Sequence, residues 1–317
     1  MSKRGGCFAW STSKKILIFG GITFIIVALG VGLGAGLGVG LNHGNDDDDS
    51  GSGSSGNGTD TGNGTTSTNT TVKWQPAAGV KWQIELLYPL NDTSVDAHVY
   101  DIDLFDNPKS MISELQTLGR KVICYFSAGT YEQWREDAGN FSKSDLGDNL
   151  DDWPGEKWLN TNSANVRKIM QTRLDLAVTK GCDGVDPDNI DGYDNTNGLK
   201  LTEDDAINYV NWLAGQAHSR GLSVGLKNGG DIIDSVIDNM QWSVNEQCAE
   251  YNECDTYAAF TDAGKPVFHI EYPKGDSTNN DDSVTTSEKN SACNAASSTD
   301  FSTVIKNMDL DVWVEYC

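Results

Sequence analysis

Positive charge is scarce in this sequence of 317 residues. Lysine and arginine number 23 against 46 aspartate and glutamate residues, which gives a formal net charge of −23. A nucleic acid would be repelled by this charge, and no basic stripe runs along the chain. We therefore expect no nucleic-acid partner.

Histidine is also rare, and cysteine occurs in no metal-binding pattern. The four histidines, His43, His98, His218 and His269, lie far apart, and none belongs to an H-E-x-x-H sequence. None of the seven cysteines is part of a C-x-x-C pair, which argues against a zinc ribbon or a thioredoxin-like motif. We expect neither a metal ion nor an organic cofactor.

The sequence has one long hydrophobic run, near its amino terminus. Ile16 to Leu41 is a stretch of 26 residues without a charge, and at about 1.5 Å per residue it can cross a hydrocarbon core of about 30 Å. It is longer than the apolar core of a cleavable signal peptide, and four Lys and Arg residues precede it in residues 1–15. We predict an uncleaved signal anchor (16–41) with a cytosolic tail (1–15). The chain would then be a single-pass type II membrane protein whose large domain is extracellular or faces the cell wall.

Residues 42–72 form a low-complexity linker rich in Gly, Ser, Thr, Asn and Asp. Such a segment buries too little apolar surface to offset the entropy of ordering it, so we predict a flexible stalk. N-x-[ST] sequons, the acceptors of N-linked glycans, lie at Asn57, Asn63, Asn69, Asn91 and Asn140. We interpret them as glycosylation sites of a chain that enters the secretory pathway.

Residues 73–317 have the length of a single eight-stranded β/α barrel. Predicted strands are Trp82 to Tyr88, His98 to Leu104, Val122 to Ser127, Gly184 to Asn189, Ser223 to Lys227, Trp242 to Glu246, Val267 to Glu271 and Asp311 to Glu315. Apolar residues at intervals of three and four predict helices at Ser110 to Leu118, Ala164 to Thr179, Glu203 to Ser219, Ile232 to Met240 and Phe301 to Asn307. This alternation predicts parallel strands and an α/β fold: one (β/α)8 TIM-type barrel, preceded by a transmembrane helix and a disordered stalk.

Two local features agree with the barrel. Thr202 with Asp205 resembles a helix amino-terminal cap, and Gly119, Gly181 and Gly221 each follow a predicted helix. The competing fold is a doubly wound sheet, which usually carries a glycine-rich loop after its first strand. Leu86 to Ser94 has no glycine, so the barrel is favoured.

Acidic residues gather at the predicted carboxyl ends of the strands, where barrel enzymes have their active sites. The fourth strand ends in Asp186 and Asp188, the sixth in Glu246 and the seventh in Glu271. Glycoside hydrolysis needs two carboxyl groups, one to donate a proton and one to attack or stabilise the sugar cation. Neighbouring acids and Lys227 can separate the pKa values of such a pair. The alternative for any single acid is that it only solvates a loop or caps a helix.

Five segments in this order resemble glycoside hydrolase family 114. They are Cys124 to Gly129, Gly181 to Tyr193, Gly225 to Asn228, Asn245 to Cys248 and Lys265 to Tyr272. The resemblance runs from about Trp82 to Cys317, and the chain is also similar to fungal members with an amino-terminal anchor. It implies a β/α barrel with endo-α-1,4-polygalactosaminidase activity.

Carried over by position, the resemblance makes Asp188 and Glu246 the catalytic carboxyls. Asp188 is then expected as nucleophile or base and Glu246 as proton donor, and retention or inversion of configuration stays open. Other residues at the mouth of the barrel are candidate substrate-binding residues: Asp103, Tyr125, Asp186, Asn189, Lys227, Asn228, Glu271 and Tyr272. Tyr125 and Trp242 are also candidates for stacking against sugars, although aromatic residues in strands more often lie in the core.

The expected partner is a cationic, galactosamine-containing polysaccharide, because an acidic cleft would attract its ammonium groups. Solubility of a secreted protein explains the net charge outside the cleft equally well. Two other functions stay open. One is a non-catalytic, carbohydrate-binding barrel of the cell surface, and the other is a hydrolase of another α-glycan. The sequence gives no indication of oligomeric state.

Six cysteines remain outside the cell once Cys7 is placed in the cytosolic tail, which suits an oxidising compartment. Cys248 and Cys254 are close in sequence and are expected to pair. We favour Cys293 with Cys317, which would tie down the last strand, and Cys124 with Cys182, which would join the third and fourth strands. Fifteen pairings of six cysteines are possible.

Overall fold

The computed structural model of the protein describes residues 74–151 and 153–317. The predicted tail, anchor and linker lie outside the described residues, as do the sequons at Asn57, Asn63 and Asn69. Among the residues that are described, no helix has both the length and the apolar character needed to cross a bilayer.

The described residues alternate strands and helices. The strands are β1 (Trp82–Glu85), β2 (Val99–Asp103), β3 (Lys121–Ser127), β4 (Thr130–Glu132), β5 (Leu146–Asn149), β6 (Glu156–Leu159), β7 (Gly184–Asp188), β8 (Ser223–Lys227), β9 (Trp242–Glu246), β10 (Val267–Glu271), β11 (Ser302–Lys306) and β12 (Val314–Tyr316). The α-helices are α1 (Lys109–Thr117), α2 (Ala164–Lys180), α3 (Glu203–Ser219), α4 (Ile233–Val236), α5 (Cys248–Tyr251), α6 (Cys254–Asp262) and α7 (Thr286–Cys293).

Eight parallel strands form a nearly closed barrel. The hydrogen-bonded order is β1-β2-β3-β7-β8-β9-β10-β11, and β12 pairs antiparallel with β11. One apolar layer packs between this sheet and the surrounding helices. A second fills the interior of the barrel. The α/β barrel predicted from the sequence is therefore present.

The carboxyl-terminal segment, residues 307–317, bridges β11 and β1. The amide of Leu86 donates to the carbonyl oxygen of Leu310 at 2.9 Å, and the side-chain amide of Gln83 donates to Val312 O at 3.0 Å. The Tyr316 hydroxyl donates to Trp82 O at 3.0 Å. Cys293 and Cys317 form a disulfide that fixes the end of this segment.

The eighth barrel strand is not where the sequence placed it. Residues Phe301 to Asn307 were predicted as a helix, but Ser302–Lys306 is β11 and pairs with β10. The prediction was wrong because Phe301, Val304 and Ile305 have a helical spacing by chance, whereas the run contains three β-branched residues and is buried throughout. Of the predicted strand Asp311 to Glu315, only the end belongs to a strand, the antiparallel β12.

Most predicted helices lie within one or two residues of their observed bounds. α3 begins with the predicted capping box between Thr202 and Asp205, and α2 ends at Gly181, whose φ of 91° is left-handed. The predicted helix Ile232 to Met240 is only the short α4 between two 3-10 turns. The sequence did not predict α5, α6 and α7, nor an antiparallel sheet of order β4-β6-β5 that is inserted between β3 and α2.

Trp242 fills the barrel interior below the carboxyl ends of the strands. It has no exposed surface, and its ring lies 5.5 Å from that of Trp74 and 6.2 Å from that of Phe268. Glycine is required at two neighbouring positions, because a Cβ would lie 2.5 Å from this ring at Gly184 and 2.0 Å from it at Gly225. Trp242 is therefore a core residue and not a platform for sugar stacking.

Disulfides join Cys124 to Cys182, Cys248 to Cys254, and Cys293 to Cys317. These are the three pairs that the sequence favoured. The sequons at Asn91 and Asn140 both have exposed asparagines, as an N-linked glycan requires.

Candidate active site

Neighbouring strands deliver a cation and three acids to the mouth of the barrel. β7 ends in Asp186, Pro187 and Asp188, β8 ends in Lys227 and β9 ends in Glu246. Side chains alternate along a strand, so Asp186 and Asp188 lie on the same face of β7. All four charged side chains are buried.

Lys227 joins the acids of β7 to the acid of β9. Its Nζ lies 3.6 Å from Asp186 Oδ2, 3.6 Å from Asp188 Oδ2 and 3.7 Å from Glu246 Oε2. Oδ2 of Asp188 and Oε2 of Glu246 are therefore at most about 7.3 Å apart, a separation compatible with the carboxyl pairs of glycosidases. One glycosidic linkage can lie between them.

Asp188 accepts hydrogen bonds on both carboxylate oxygens. The hydroxyl of Tyr125 donates to Oδ2 at 2.9 Å, and the backbone amide of Asn189 donates to Oδ1 at 2.7 Å. Asn189 itself adopts a left-handed φ of 60°, which turns the chain at the end of β7. Donors and backbone together fix the orientation of the Asp188 carboxylate.

Glu246 is held by residues of both adjacent strands. The Tyr272 hydroxyl, directly after β10, donates to Oε1 at 2.6 Å, and Asn228, directly after β8, donates to Oε2 at 3.2 Å. Burial raises the pKa of Glu246 to about 7, although Lys227 and these two hydrogen bonds favour the charged form. A carboxyl with this pKa carries a proton in mildly acidic solution and can donate it.

A second pair of acids lies deeper in the barrel. Asp101 of β2 and Asp186 have no exposed surface, and each carboxyl shifts the pKa of the other. Burial, and then the charge of Asp186, raises the pKa of Asp101 well above its usual value. Burial also raises the pKa of Asp186, to about 6, against the effect of Lys227.

The structure therefore gathers Tyr125, Asp186, Lys227, Asn228 and Tyr272 around Asp188 and Glu246, as the sequence predicted for the barrel mouth. The three other predicted substrate-binding residues have different partners, described below. Their roles toward a substrate stay predictions.

Asp103 is bound by an arginine of the inserted segment. Arg135 makes two hydrogen bonds to its carboxylate, of 3.0 and 2.6 Å, and the Phe105 amide makes a third at 2.8 Å. Arg135 also forms an ion pair of 2.8 Å with Glu132. This buried pairing attaches the inserted segment to the end of β2.

The side chains of Asn189 and Glu271 contact residues other than Asp188 and Glu246. The Asn189 side chain donates to Ser127 Oγ at 3.1 Å. Glu271 Oε1 lies 2.7 Å from Nε2 of His269 and accepts from the Ala249 amide at 2.8 Å. Because side chains alternate, Glu271 and the next residue, Tyr272, take opposite directions, and Tyr272 is the one that reaches Glu246.

Two acids of the site were not among the predicted site residues. Asp101 lies two residues before Asp103 on the same face of β2, so period-two spacing from Asp103 was the signal that pointed to it. Asp191 is also buried, and burial together with the charge of Asp188 raises its pKa to about 8. Asp191 lies in the same acidic segment as Asp186 and Asp188.

One group of side chains has the composition of a metal site. Ligand atoms of Cys248, Cys254 and His269 lie within 4.8 Å of one another. The two cysteines are joined in a disulfide, so neither offers a thiolate to a metal ion.

Comparisons with known proteins agree with this geometry. The sequence profile of a family described as "Glycoside-hydrolase family GH114" matches residues 63–317. The crystal structure of Aspergillus fumigatus Ega3 in complex with galactosamine is 71% identical, covers 81% of this chain and 100% of that chain, and superposes with a TM-score of 0.76.

A more distant structure shares the fold. The glycoside hydrolase domain of PelA from Pseudomonas aeruginosa is 12% identical, covers 74% of this chain and 98% of that chain, and superposes with a TM-score of 0.59. A search of curated protein sequences found no match.

Proposed function

The chain belongs to glycoside-hydrolase family GH114 and is a glycoside hydrolase, and from this premise we propose that it cleaves α-1,4-linked, galactosamine-rich polysaccharide at internal linkages. The observation that carries the proposal is the position of Lys227 between Asp188 and Glu246, which places two carboxyls of different environment across one narrow site. Galactosamine bound to Ega3, at 71% identity, supports the choice of sugar.

In the proposed reaction, Glu246 is the proton donor. Its pKa of about 7 leaves it protonated in the mildly acidic range, and the proton passes to the oxygen of the departing sugar. As the bond breaks, positive charge develops at the anomeric carbon. Tyr272 and Asn228 then stabilise the carboxylate that Glu246 becomes.

Asp188 acts on the other side of the linkage, as nucleophile or as the base that activates water. Both of its oxygens accept hydrogen bonds, from Tyr125 and from the Asn189 amide, so the carboxylate is pre-oriented toward the developing cation. Lys227 lies 3.6 Å from it, and its charge stabilises the anionic acids of the site.

The substrate chemistry also agrees with the charge of the chain. The formal net charge is −23, and acids outnumber cations around the catalytic pair. A polymer that carries free ammonium groups would be attracted to such a mouth, whereas an N-acetylated polymer would gain nothing from it.

The test is the release of reducing ends from purified α-1,4-galactosamine oligomers by the full-length chain in detergent. Asp188→Asn and Glu246→Gln are isosteric controls that keep the fold, and each is expected to lower turnover by at least about a thousandfold. Loss of turnover with binding retained supports the proposal. A wild-type chain that binds the oligomers without turnover would instead be a carbohydrate-binding barrel.

Comparison of deacetylated with N-acetylated polymer tests the sugar. A preference for the deacetylated form, weakened by added salt, supports recognition of ammonium groups. Faster cleavage of an unrelated α-glycan would assign the enzyme to that substrate.

We also propose that the enzyme is a type II membrane protein with its barrel outside the cell. The support is the uncharged run Ile16 to Leu41, the basic tail before it, and three disulfides that suit an oxidising compartment. Protease treatment of intact cells should remove the barrel from the full-length chain and leave a small tail. Protection of the barrel from protease would refute this orientation.

A further inference from the structure

Asp101 lies in the barrel interior below the catalytic pair, and the mechanism above gives it no role. In the sheet, Asp101 pairs with Ile123 of β3, while Asp186 pairs with Tyr125, two residues further along β3. Asp101 is thus one level deeper than Asp186. Both residues have no exposed surface.

The two carboxyl groups form a closed pair. The two carboxyls interact directly, and Asp186 forms an ion pair of 3.6 Å with Lys227. In residues 74–151 and 153–317, no N–H or hydroxyl group donates a hydrogen bond to either carboxyl. Two buried carboxylates in contact repel each other, so one of the pair holds a proton and donates a hydrogen bond to the other.

The position of Lys227 decides which acid is charged. Its Nζ lies 3.6 Å from Asp186 Oδ2, and no ion pair among the described residues includes Asp101. The anion is therefore favoured on Asp186 and the proton on Asp101. The pKa values agree, since burial raises that of Asp101 well above its usual value and that of Asp186 only to about 6.

We propose that Asp101 is a positioning residue of this glycosidase: as a neutral acid it donates a hydrogen bond to Asp186, and the Asp186 carboxylate in turn holds the Lys227 ammonium between Asp188 and Glu246. The proposal rests on the proposed function for the roles of the last two residues. It assigns to Asp101 no contact with the substrate.

Through Asp186 and Lys227, Asp101 affects the pKa of the proton donor, Glu246. The Asp101 hydrogen bond lowers the pKa of Asp186, so without it Asp186 takes up a proton at higher pH, and the charge of Lys227 is then balanced by one anion fewer. Lys227 then acts more strongly on Glu246 and lowers its pKa. The other groups that face Glu246 are Asp188, Tyr272 and Asn228, and they keep their places.

Two substitutions of Asp101 distinguish the effect of its hydrogen-bond donor from the effect of its volume. Asp101→Asn keeps a neutral hydrogen-bond donor of the same shape, whereas Asp101→Leu keeps the volume and removes the donor. In the full-length chain, we expect Asp101→Asn to retain at least about a third of kcat and the wild-type pH profile. We expect Asp101→Leu to lower kcat at least about 30-fold with little change in KM, and to move the alkaline limb to lower pH by at least about half a unit.

A matched control is Asp145→Leu, which removes a buried carboxyl in the inserted segment between β4 and β5. Asp145 bonds Ser142, Ser163 and Asn165 and no residue of the site. Its loss should lower the thermal midpoint without moving the alkaline limb. If Asp101→Leu fails to fold, Asp186→Asn is measured in its place. The alkaline limb of Asp186→Asn should also move to lower pH.

Equal damage from Asp101→Asn and Asp101→Leu would overturn the proposal, because the position would then need a carboxylate. A wild-type profile and turnover in Asp101→Leu, or an unmoved limb in Asp186→Asn, would overturn it too. Infrared difference spectra at pH 8 test it without any substrate. Glu156 and Asp191 also hold protons near this pH, so the signal is the difference between wild type and Asp101→Asn, which should contain the carbonyl band of one protonated acid. A difference spectrum without this band contradicts the proposal even if the chain proves inactive on galactosamine oligomers.

Discussion

The hydroxyl of Tyr272 donates a hydrogen bond of 2.6 Å to Oε1 of Glu246. This bond favours the charged carboxylate, as do Asn228 and Lys227, whereas burial and the charge of Asp188 favour the protonated acid. The pKa of Glu246, about 7, is thus a balance of opposed effects. Single substitutions around Glu246 should shift its pKa in predictable directions.

Tyr272→Phe removes a group that stabilises the charged form, so the pKa of Glu246 should rise. We expect the alkaline limb of kcat/KM to move to higher pH by about half a unit to one unit, with a loss of kcat of several-fold at pH 5. The measurement is the pH profile on galactosamine oligomers. Tyr100→Phe is the control, because the Tyr100 hydroxyl bonds Val95 O outside the site. A limb that stays in place or moves to lower pH contradicts this balance.

Lys227→Met removes the cation shared by three acids. Because Lys227 lowers the pKa of Glu246, its loss should move the alkaline limb upward, and kcat/KM should fall at least about a hundredfold. The direction of the shift is opposite to that expected for Asp101→Leu.

Lys306→Met provides the comparison for Lys227→Met. Lys306 is also a buried lysine at the end of a barrel strand, but it bonds Gln83 and the Asp311 carbonyl oxygen. The Lys306→Met variant should be less stable than wild type, and the alkaline limb of its pH profile should be unchanged. If both variants shift the limb equally, the effect belongs to any buried cation and not to Lys227.

Local signals predict that acids gather at the barrel mouth, and the family resemblance then selects Asp188 and Glu246 among them. Asp188 and Glu246 each end a short buried strand, and parallel strands of a barrel bring their carboxyl ends to one mouth. The same logic predicts Tyr125, Lys227, Asn228 and Tyr272. Of the disulfides, the short separation predicts Cys248 with Cys254, whereas the other two pairs are only preferred among the possible pairings.

The sequence does not predict which acids at the barrel mouth contact Asp188 and Glu246 and which are bound by other residues. Asp103 is bound by Arg135, a residue of the inserted segment that no local pattern places beside β2. Tertiary contacts also decide that Ser302–Lys306 is the strand β11 and not part of the helix predicted at Phe301 to Asn307. The apolar residues of a short run fit the period of a helix as well as that of a strand, and here the pairing with β10 favours the strand.

Gly225→Ala should disturb the packing of Trp242 below the site. A Cβ at Gly225 would lie 2.0 Å from Nε1 of Trp242, and the fully buried indole has no room to move. We expect a loss of unfolding free energy of about 3 kcal/mol or more and a fall in kcat, because Lys227 is two residues along the same strand. Denaturant titration and turnover measure the two effects.

Gly215→Ala is the matched control on α3. A Cβ at this exposed helical position has no atom within 4 Å, so stability should rise by about 0.5 to 1 kcal/mol with unchanged turnover. Equal stability of Gly225→Ala and wild type would mean that the barrel interior is less tightly packed than the structure indicates.

Stability should decline as pH rises from about 4.5 to 7, because burial raises the pKa of several carboxyls. The values are about 6 for Asp186, about 7 for Glu85 and Glu246, and about 8 for Glu156 and Asp191. A carboxyl with a higher pKa in the folded state than in the unfolded chain binds its proton more tightly when folded. It therefore contributes most stability below its unfolded pKa and loses that contribution as pH rises through its folded pKa.

Two groups limit this window. Hydrogen bonds lower the pKa of Asp145 to about 2 despite desolvation, so its contribution is present above its usual pKa and is lost on further acidification. Burial lowers the pKa of Lys306 to about 7, so stability from this group rises with pH only above that value. The thermal midpoint should thus be highest near about pH 4.5 and lower by at least about 4 °C at pH 7.

Glu156→Gln and Asp191→Asn should each flatten this dependence, because each removes a group whose proton the fold binds tightly. Glu288→Gln is the control, since Glu288 is only partly buried and hydrogen bonds from Thr285 lower its pKa. Scanning calorimetry of wild type and the three variants at pH 4 to 8 measures the midpoints. A wild-type midpoint that is constant or rises between pH 5 and 7 would mean that the buried acids are ionised in the folded enzyme, and Glu246 would then lack the proton that hydrolysis requires.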